Sequence, residues 1–275
     1  MLNLGGRDGS ALVAVVTIVP EEFEAIRSIE DFKPCPGDSP FLYRREWDKR
    51  RYDVLLAQSA DRSNTPCAEL VADLAERYRP EYIVLSGIAG GIDRDDVALG
   101  DVVIADHVEG YEIQKFDRGR SMTRRVAIDH PSKYLRETIA RRVSIAGKWI
   151  DRIKVERPAA GAPKIVVGNL IAGDKILGDG ENEYQRKILD EFDKAIAVDM
   201  ESHGLGRGAF SARSARYYNL NYLVVRGVSD LVNAHNNNEA RKQWRVYAAA
   251  SAAAFAMEVV NELVFQCSAS QDGDA

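Results

Sequence analysis

The stretch "LVAVVTIVPEEFEAI", residues 12 to 26, sets an almost unbroken apolar run against a proline and three glutamates. A strand with one wet face alternates polar and apolar residues, whereas a continuous run marks a strand covered on both faces. Pro20 then stands where a helix tolerates proline, in its first turn. The run from Ala11 to Val19 is too short to span a bilayer. It has no basic flank before it and no small-residue cleavage site after it, so it reads as a strand and not a signal.

The same signature recurs outward from this point. "YDVLLAQS" (52 to 59), "YIVLSG" (82 to 87), "DVVIADHV" (101 to 108), "KIVVGNLIAG" (164 to 173), "AIAVDM" (195 to 200) and "YLVVRGVS" (222 to 229) are all apolar runs of strand length. Helical patterns lie between many of them. "TPCAELVADLAERY" places Leu70, Val71, Leu74 and Ala75 on one face, and "ENEYQRKILDEF" and "ESHGLGRGAFSARSA" precede the last two strands. "ARKQWRVYAAASAAAFAMEVVNELVFQ" is a long alanine-rich helix. Strands alternating with helices predict an α/β fold with a twisted, largely parallel central sheet flanked by helices. No repeat or composition shift divides the chain, so one domain is expected over 11–266. Gly, Ser and Asp-rich ends (1–10 and 267–275) are expected to be unstructured, and a charged excursion spans 115–163. This excursion reads either as a lid or subunit contact, or as a solvated helical insertion.

Composition excludes several classes. With 275 residues and a net charge of -5, the chain has a large core and no positive field to draw nucleic acid or an anionic membrane. Cys35, Cys67 and Cys267 are odd in number and widely spaced, unlike a disulfide framework or a zinc site, and suit free thiols in a reducing cytoplasm, the expected location. No histidine pair has metal-ligand spacing and no G-x-S-x-G elbow is present; no metal or cofactor is expected.

In an α/β sheet ligands bind beyond the carboxyl ends of the strands. Read there, the chain shows Glu21 and Glu22 after the first run, "SGIAGGI" (86 to 92) after the third, Asp199-Met200-Glu201 after the sixth and Ser229-Asp230 after the seventh. The helix dipole alone would account for Glu21 and Glu22, and an N-cap for Asp230. It does not account for two acids flanking Met200 at the end of a core strand. "SGIAGGI" predicts a tight turn with backbone close to a ligand, without the spacing of a dinucleotide or phosphate loop.

In this order, "PEEFEAI", "YIVLSGIAGGI...LGDVVIADHV", "IAGDKI", "AIAVDMES" and "LVVRGVSDLVN" resemble the purine nucleoside phosphorylase and methylthioadenosine/S-adenosylhomocysteine nucleosidase superfamily, over roughly residues 12 to 262. The segment from His235 to Val260 is similar to nucleosidase domains found beside signalling and defence modules. The resemblance implies cleavage of the N-glycosidic bond of a purine, adenine first, in a nucleoside or nucleotide. It implies Asp230 as the acid that protonates purine N7 and Glu22 as the base that activates water. Glu201 would hold the ribose hydroxyls and Met200 pack on the sugar, with Ala89 and Gly90 near the sugar and base. Ile176 and Leu177, in "GDKIL", would line the base pocket, with Ser229 and Asp199 beside the acids. Relatives form dimers or higher homo-oligomers, and the same is expected here.

Phosphorolytic members resemble one another in a serine where this chain has Ile88, which favours hydrolysis. Arg27, Arg44, Arg62 and Arg118 keep phosphorolysis open as the alternative. Ile176 replaces an aromatic residue that stacks on adenine in methylthioadenosine nucleosidases. A nucleoside-sensing module with little turnover is the second alternative. A dehydrogenase is discounted for want of G-x-G-x-x-G.

Overall fold

The computed structural model describes residues 12–269, apart from 36, 38, 48–49, 93–96, 125–129, 215–217 and 236. The N-terminal segment 1–10 therefore lies outside the described residues. Strand β1 (Leu12–Thr17) leads into α1 (Pro20–Arg27), followed by β2 (Lys33–Pro34), β3 (Phe41–Trp47) and β4 (Arg50–Gln58). Helix α2 (Asn64–Arg77), β5 (Tyr82–Gly91) and β6 (Val102–Gly110) come next, then a small hairpin of β7 (Gln114–Asp117) and β8 (Arg120–Thr123). A π-helical segment, Tyr134–Ala140, runs into α3 (Arg141–Ala146) and a 3-10 turn, Lys148–Arg152. The chain ends with β9 (Ile165–Ala172), α4 (Glu183–Glu191), β10 (Ala195–Asp199), α5 (Ser202–Ala212), β11 (Asn221–Leu231) and α6 (Asn237–Ala269).

The main sheet runs β10-β9-β6-β11-β5-β1-β4-β3-β2, and β10 also pairs with β5, so that β5, β11, β6, β9 and β10 form a closed ring. The sheet is mixed. β1–β4, β1–β5, β5–β11, β6–β9 and β9–β10 are parallel, while β5–β10, β6–β11, β2–β3 and β3–β4 are antiparallel. Each of the seven apolar runs contains a strand of this sheet. They are apolar throughout because one core lies between the sheet and α2 and α5, and a second between the sheet and α1, α3 and α6.

Small residues let the layers touch. A Cβ on Gly227 would stand 1.9 Å from the Ala248 carbonyl oxygen, and one on Gly204 2.0 Å from that of Asn64. β11 thus lies flush on α6, and α5 on α2, closer than any larger residue permits. The α6 segment from Asn237 to Phe265 is apolar and long enough for a bilayer, but 78% of its most apolar window is buried in the fold. It is the central helix of the second core.

Two expectations are corrected. The 115–163 excursion is no solvated insertion: Leu135, Ile139, Val143 and Trp149 are buried in the second core, and Trp149 meets Phe255 edge-on at 5.5 Å. Arg141 and Arg142 lie exposed on the outside of helices whose inner face completes the fold. At the other end, α6 continues to Ala269, into the tail expected to be unstructured from 267.

Candidate active site

Where β1, β5, β10 and β11 end, the structure opens a cavity of about 280 Å³, near the lower end of the size range of small-molecule sites. Glu22, Ala89, Gly90, Ile176, Leu177, Asp199, Met200, Glu201, Ser229 and Asp230 all line it, so these ten residues read from the sequence converge on one place. The strand-end rule places those of β1, β5 and β11, which are mutually parallel. β10 runs antiparallel to β5, with Val198 opposite Gly90, and delivers Asp199 from the other direction.

"SGIAGGI" is not a turn. Residues 86–91 stay in β5, and none of its glycines has a positive φ. The glycines serve close approach: a Cβ on Gly87 would stand 2.2 Å from Arg226 Nη1 and 2.5 Å from Glu22 Oε1, and one on Gly90 would meet Val232 at 2.4 Å. The backbone of β5 is thereby pressed against the acids it helps to hold.

Three buried carboxylates gather around one buried guanidinium. Arg226 donates from Nε to Asp199 Oδ2 (2.7 Å) and from Nη2 to Glu201 Oε2 (3.0 Å). Its Nη1 is buried without a hydrogen-bond partner and faces the same Gly87 position as Glu22. Glu22 accepts the N–H groups of Ile18 (2.8 Å) and Val19 (3.1 Å) on Oε2 and that of Ile88 (2.9 Å) on Oε1. Burial pushes the Glu22 carboxyl above its ordinary range, with Arg226 and those N–H groups pulling the other way. Burial also pushes Glu201 up, to about 7, aided by the charges of Asp199 and Glu22 and opposed by Arg226. Burial works against the charge on Arg226, but its three carboxylates outweigh it and hold the guanidinium protonated.

Asp199 acquires a structural part here. It accepts the backbone N–H of Ser202 (3.1 Å) and of Glu201 (3.3 Å), and the Ser202 hydroxyl as well. It therefore ties the first turn of α5 to Arg226.

Asp230 is held apart from this cluster. Pairing Ala89 with Val228 and Gly90 with Asp230 leaves Ser229 as the extra residue of a β-bulge, a device that re-aims side chains near the end of a strand. Ser229 Oγ donates to Asp230 Oδ1 (2.6 Å), and Arg241, in the second turn of α6, closes on both carboxylate oxygens at 3.1 Å. The carboxylates expected to crowd together are thus divided: Glu22, Asp199 and Glu201 share Arg226, while Asp230 has its own arginine. Asp230 is 3% exposed, so its open side is toward the cavity it lines.

Sequence reasoning missed the arginines. Arg226 interrupts a run buried on both faces, and a charge there demands buried counter-charges, which was the available signal. Arg241 and Arg245 lie four residues apart near the start of a helix read only for its alanines. Of the four arginines proposed for phosphate, only Arg62 lines the cavity; Arg27 pairs with Glu24, Arg44 with Asp53, and Arg118 sits in the β7–β8 turn. No described residue of 115–163 lines it. Ile176 does, at 57% exposure, while Leu177 is buried beneath. Among the described residues no group of three His, Cys, Asp or Glu side chains converges as metal ligands would.

Comparison with known proteins finds similar sequences and folds. The chain is 25% identical over 247 residues to a death domain-containing ATP nucleosidase of Amphimedon queenslandica, covering 85% of this chain but only 43% of that relative. It is 27% identical over 256 residues to a 5'-methylthioadenosine/S-adenosylhomocysteine nucleosidase of Mycobacterium bovis, covering 87% of this chain and 93% of the relative. In fold it is similar to an S-adenosylhomocysteine nucleosidase of Streptococcus pyogenes solved with 5-methylthiotubericidin, with a TM-score of 0.69, 21% identity, and coverage of 94% and 99%. The sequence model described as the Phosphorylase superfamily matches residues 12–263, nearly all of the folded chain, and the chain belongs to that superfamily.

Proposed function

We propose that the protein hydrolyses the N-glycosidic bond of a purine nucleoside or nucleotide, adenine first, and releases the free base. The observation that carries this reading is the placing of two buried acids, Glu22 and Asp230, on the wall of one cavity. Glu22 offers a water an acceptor, while Arg226 lies behind it and outside the lining. Glu22, raised by burial, is suited to take that water's proton near neutral pH.

The reaction divides between the two acid groups. As the bond from C1' to purine N9 breaks, electrons flow into the base, and Asp230 supplies the proton that N7 takes up. Ser229 and Arg241 fix its carboxyl and stabilise the carboxylate left behind. The sugar becomes cation-like, which the negative floor of Glu22, Asp199 and Glu201 favours. Water adds to C1' and Glu22 accepts the released proton.

Hydrolysis is favoured over phosphorolysis on charge. Three carboxylates face one guanidinium in this interior, so a phosphate dianion beside Glu22 would be repelled where a neutral water is not. The relatives named as nucleosidases support the same reading. We also expect a homo-oligomer; exposed Phe116 on β7 and Phe210 on α5 support this, and sedimentation would test it.

Incubating the protein with adenosine and AMP, with and without inorganic phosphate, tests the reaction. Free base and unphosphorylated C1 product are expected in both conditions. Ribose 1-phosphate forming only when phosphate is present would overturn hydrolysis.

A further inference from the structure

The cavity has an acidic floor and a basic rim. Arg62, Lys175, Arg241 and Arg245 all line it, in a chain whose net charge is -5. Two of the four have work of their own: Arg241 clasps Asp230, and Lys175 is bound to Glu112. Of the other two, Arg62 is open to a ligand and Arg245 is held through one nitrogen by the part-exposed Glu21. The Arg62 side chain is exposed and has no ionic or hydrogen-bonded partner among the described residues. Arg245 reaches Glu21 through Nη2 at 2.6 Å across a contact about one-third exposed, while its Nε is buried without a partner.

Position gives these cations a direction. Ser63, next to Arg62, donates its N–H to Glu201 Oε1 at 3.4 Å, so Arg62 adjoins the carboxylate assigned to the ribose. Arg245 lies one helical turn beyond Arg241, on the same face of α6 and one step away from the acid assigned to the base. Neither a sugar hydroxyl nor an apolar thioether substituent calls for a guanidinium. Phosphate oxygens do, through paired N–H donors and opposite charge.

We infer that the substrate is a purine nucleotide, its phosphate bound between Arg62 and Arg245, which makes these two arginines the specificity-determining residues of the site. The inference rests on the nucleosidase reading above and deepens it. It also gives Arg62, read from the sequence as a ligand for inorganic phosphate, a phosphate of the substrate instead, and adds Arg245 of α6 to it.

The test compares base release from AMP, ATP, adenosine and 5'-methylthioadenosine by the full chain and by Arg62→Gln and Arg245→Gln. A nucleotide is expected to exceed both nucleosides at least tenfold in kcat/KM. Each substitution is expected to lower the nucleotide-to-adenosine ratio at least fivefold, chiefly through KM. Damage to the fold would lower all substrates together and leave that ratio in place; Arg62, on an exposed loop, carries the test if the Arg245 variant fails to fold.

Equal use of adenosine or methylthioadenosine, or an unchanged ratio in both variants, would overturn the inference and leave the nucleosidase reading standing. Formation of ribose 1-phosphate from added inorganic phosphate would overturn both the inference and hydrolysis, and would assign the cations to the free ion. If no substrate releases base, the nucleosidase reading falls, and equilibrium dialysis decides the inference alone. AMP binding at least tenfold tighter than adenosine, lost in the double variant, would sustain it, and equal binding would not.

Discussion

The guanidinium of Arg226 meets the carboxylate of Glu201 at 3.0 Å in the interior, with the arginine wholly buried and the glutamate 6% exposed. Asp199 completes the pair at 2.7 Å. Removing one member of such a group leaves charge buried without compensation, at a cost of about 3–5 kcal/mol. Arg226→Met is therefore expected to lower the urea midpoint strongly and to abolish turnover, while Arg226→Lys retains part of the stability. A midpoint unchanged in Arg226→Met would contradict the arrangement.

Asp230→Asn keeps an acceptor for Ser229 and Arg241 but loses the transferable proton. Base release, followed by chromatography, should fall about 10²–10⁴-fold in kcat, the usual worth of a positioned acid. Ligand affinity measured by calorimetry should change by less than about fivefold. A variant that retained turnover would remove Asp230 from the chemistry.

Gly87→Ala tests the cluster without altering any charge. The new Cβ would stand 2.2 Å from Arg226 Nη1 and 2.5 Å from Glu22 Oε1, so both groups must shift. A displacement of this order at reacting groups costs roughly 10²-fold in rate. Activity is expected to fall by that factor in a variant that still folds, and wild-type kcat would show that Glu22 has no part in catalysis.

Glu201 gives a pH signature. Its carboxyl is raised from 4.5 to about 7, chiefly by burial, so the folded state holds a proton that the unfolded chain releases. The associated stability is complete below about pH 4.5 and is lost as pH rises through about 7, to an extent on the order of 2–3 kcal/mol. Urea midpoints at pH 5 and pH 8 should show this decline in the wild type and a shallower one in Glu201→Gln. Parallel declines would assign the titration elsewhere. Glu22, also raised, should move the acid limb of kcat/KM above the ordinary carboxylate range, and Glu22→Gln should lose that limb together with about 10²-fold in kcat.

Much of this was legible because burial on both faces leaves an apolar run that cannot be mistaken for a half-wet strand. Strands lacking that cover were not seen: β3, "FLYRREW", sets three consecutive charges among its aromatic residues, and β7 and β8 form an outlying hairpin. Strand direction leaves no trace in composition, which is why the antiparallel entry of β10 beside Gly90 and Gly91 came only with the structure. Acids at strand ends announced themselves, whereas Arg241 looked like any charge on an exposed helical turn. Its pairing with Asp230 depends on how α6 leans on β11, a relation between residues with no local sequence signal.

That lean has a mechanical consequence. Gly227 and Ala248 touch where no side chain intervenes, so this contact behaves as the fulcrum of a stiff rod. Arg241 lies seven residues along it, about 10 Å at 1.5 Å per residue, and a tilt of about 5° there would swing its guanidinium by about 1 Å. A single methyl group added at the pivot, which does not itself line the cavity, would thus displace Arg241 and Arg245 together. The thickness of a glycine sets how closely α6, with Arg241 and Arg245 on it, can approach β11.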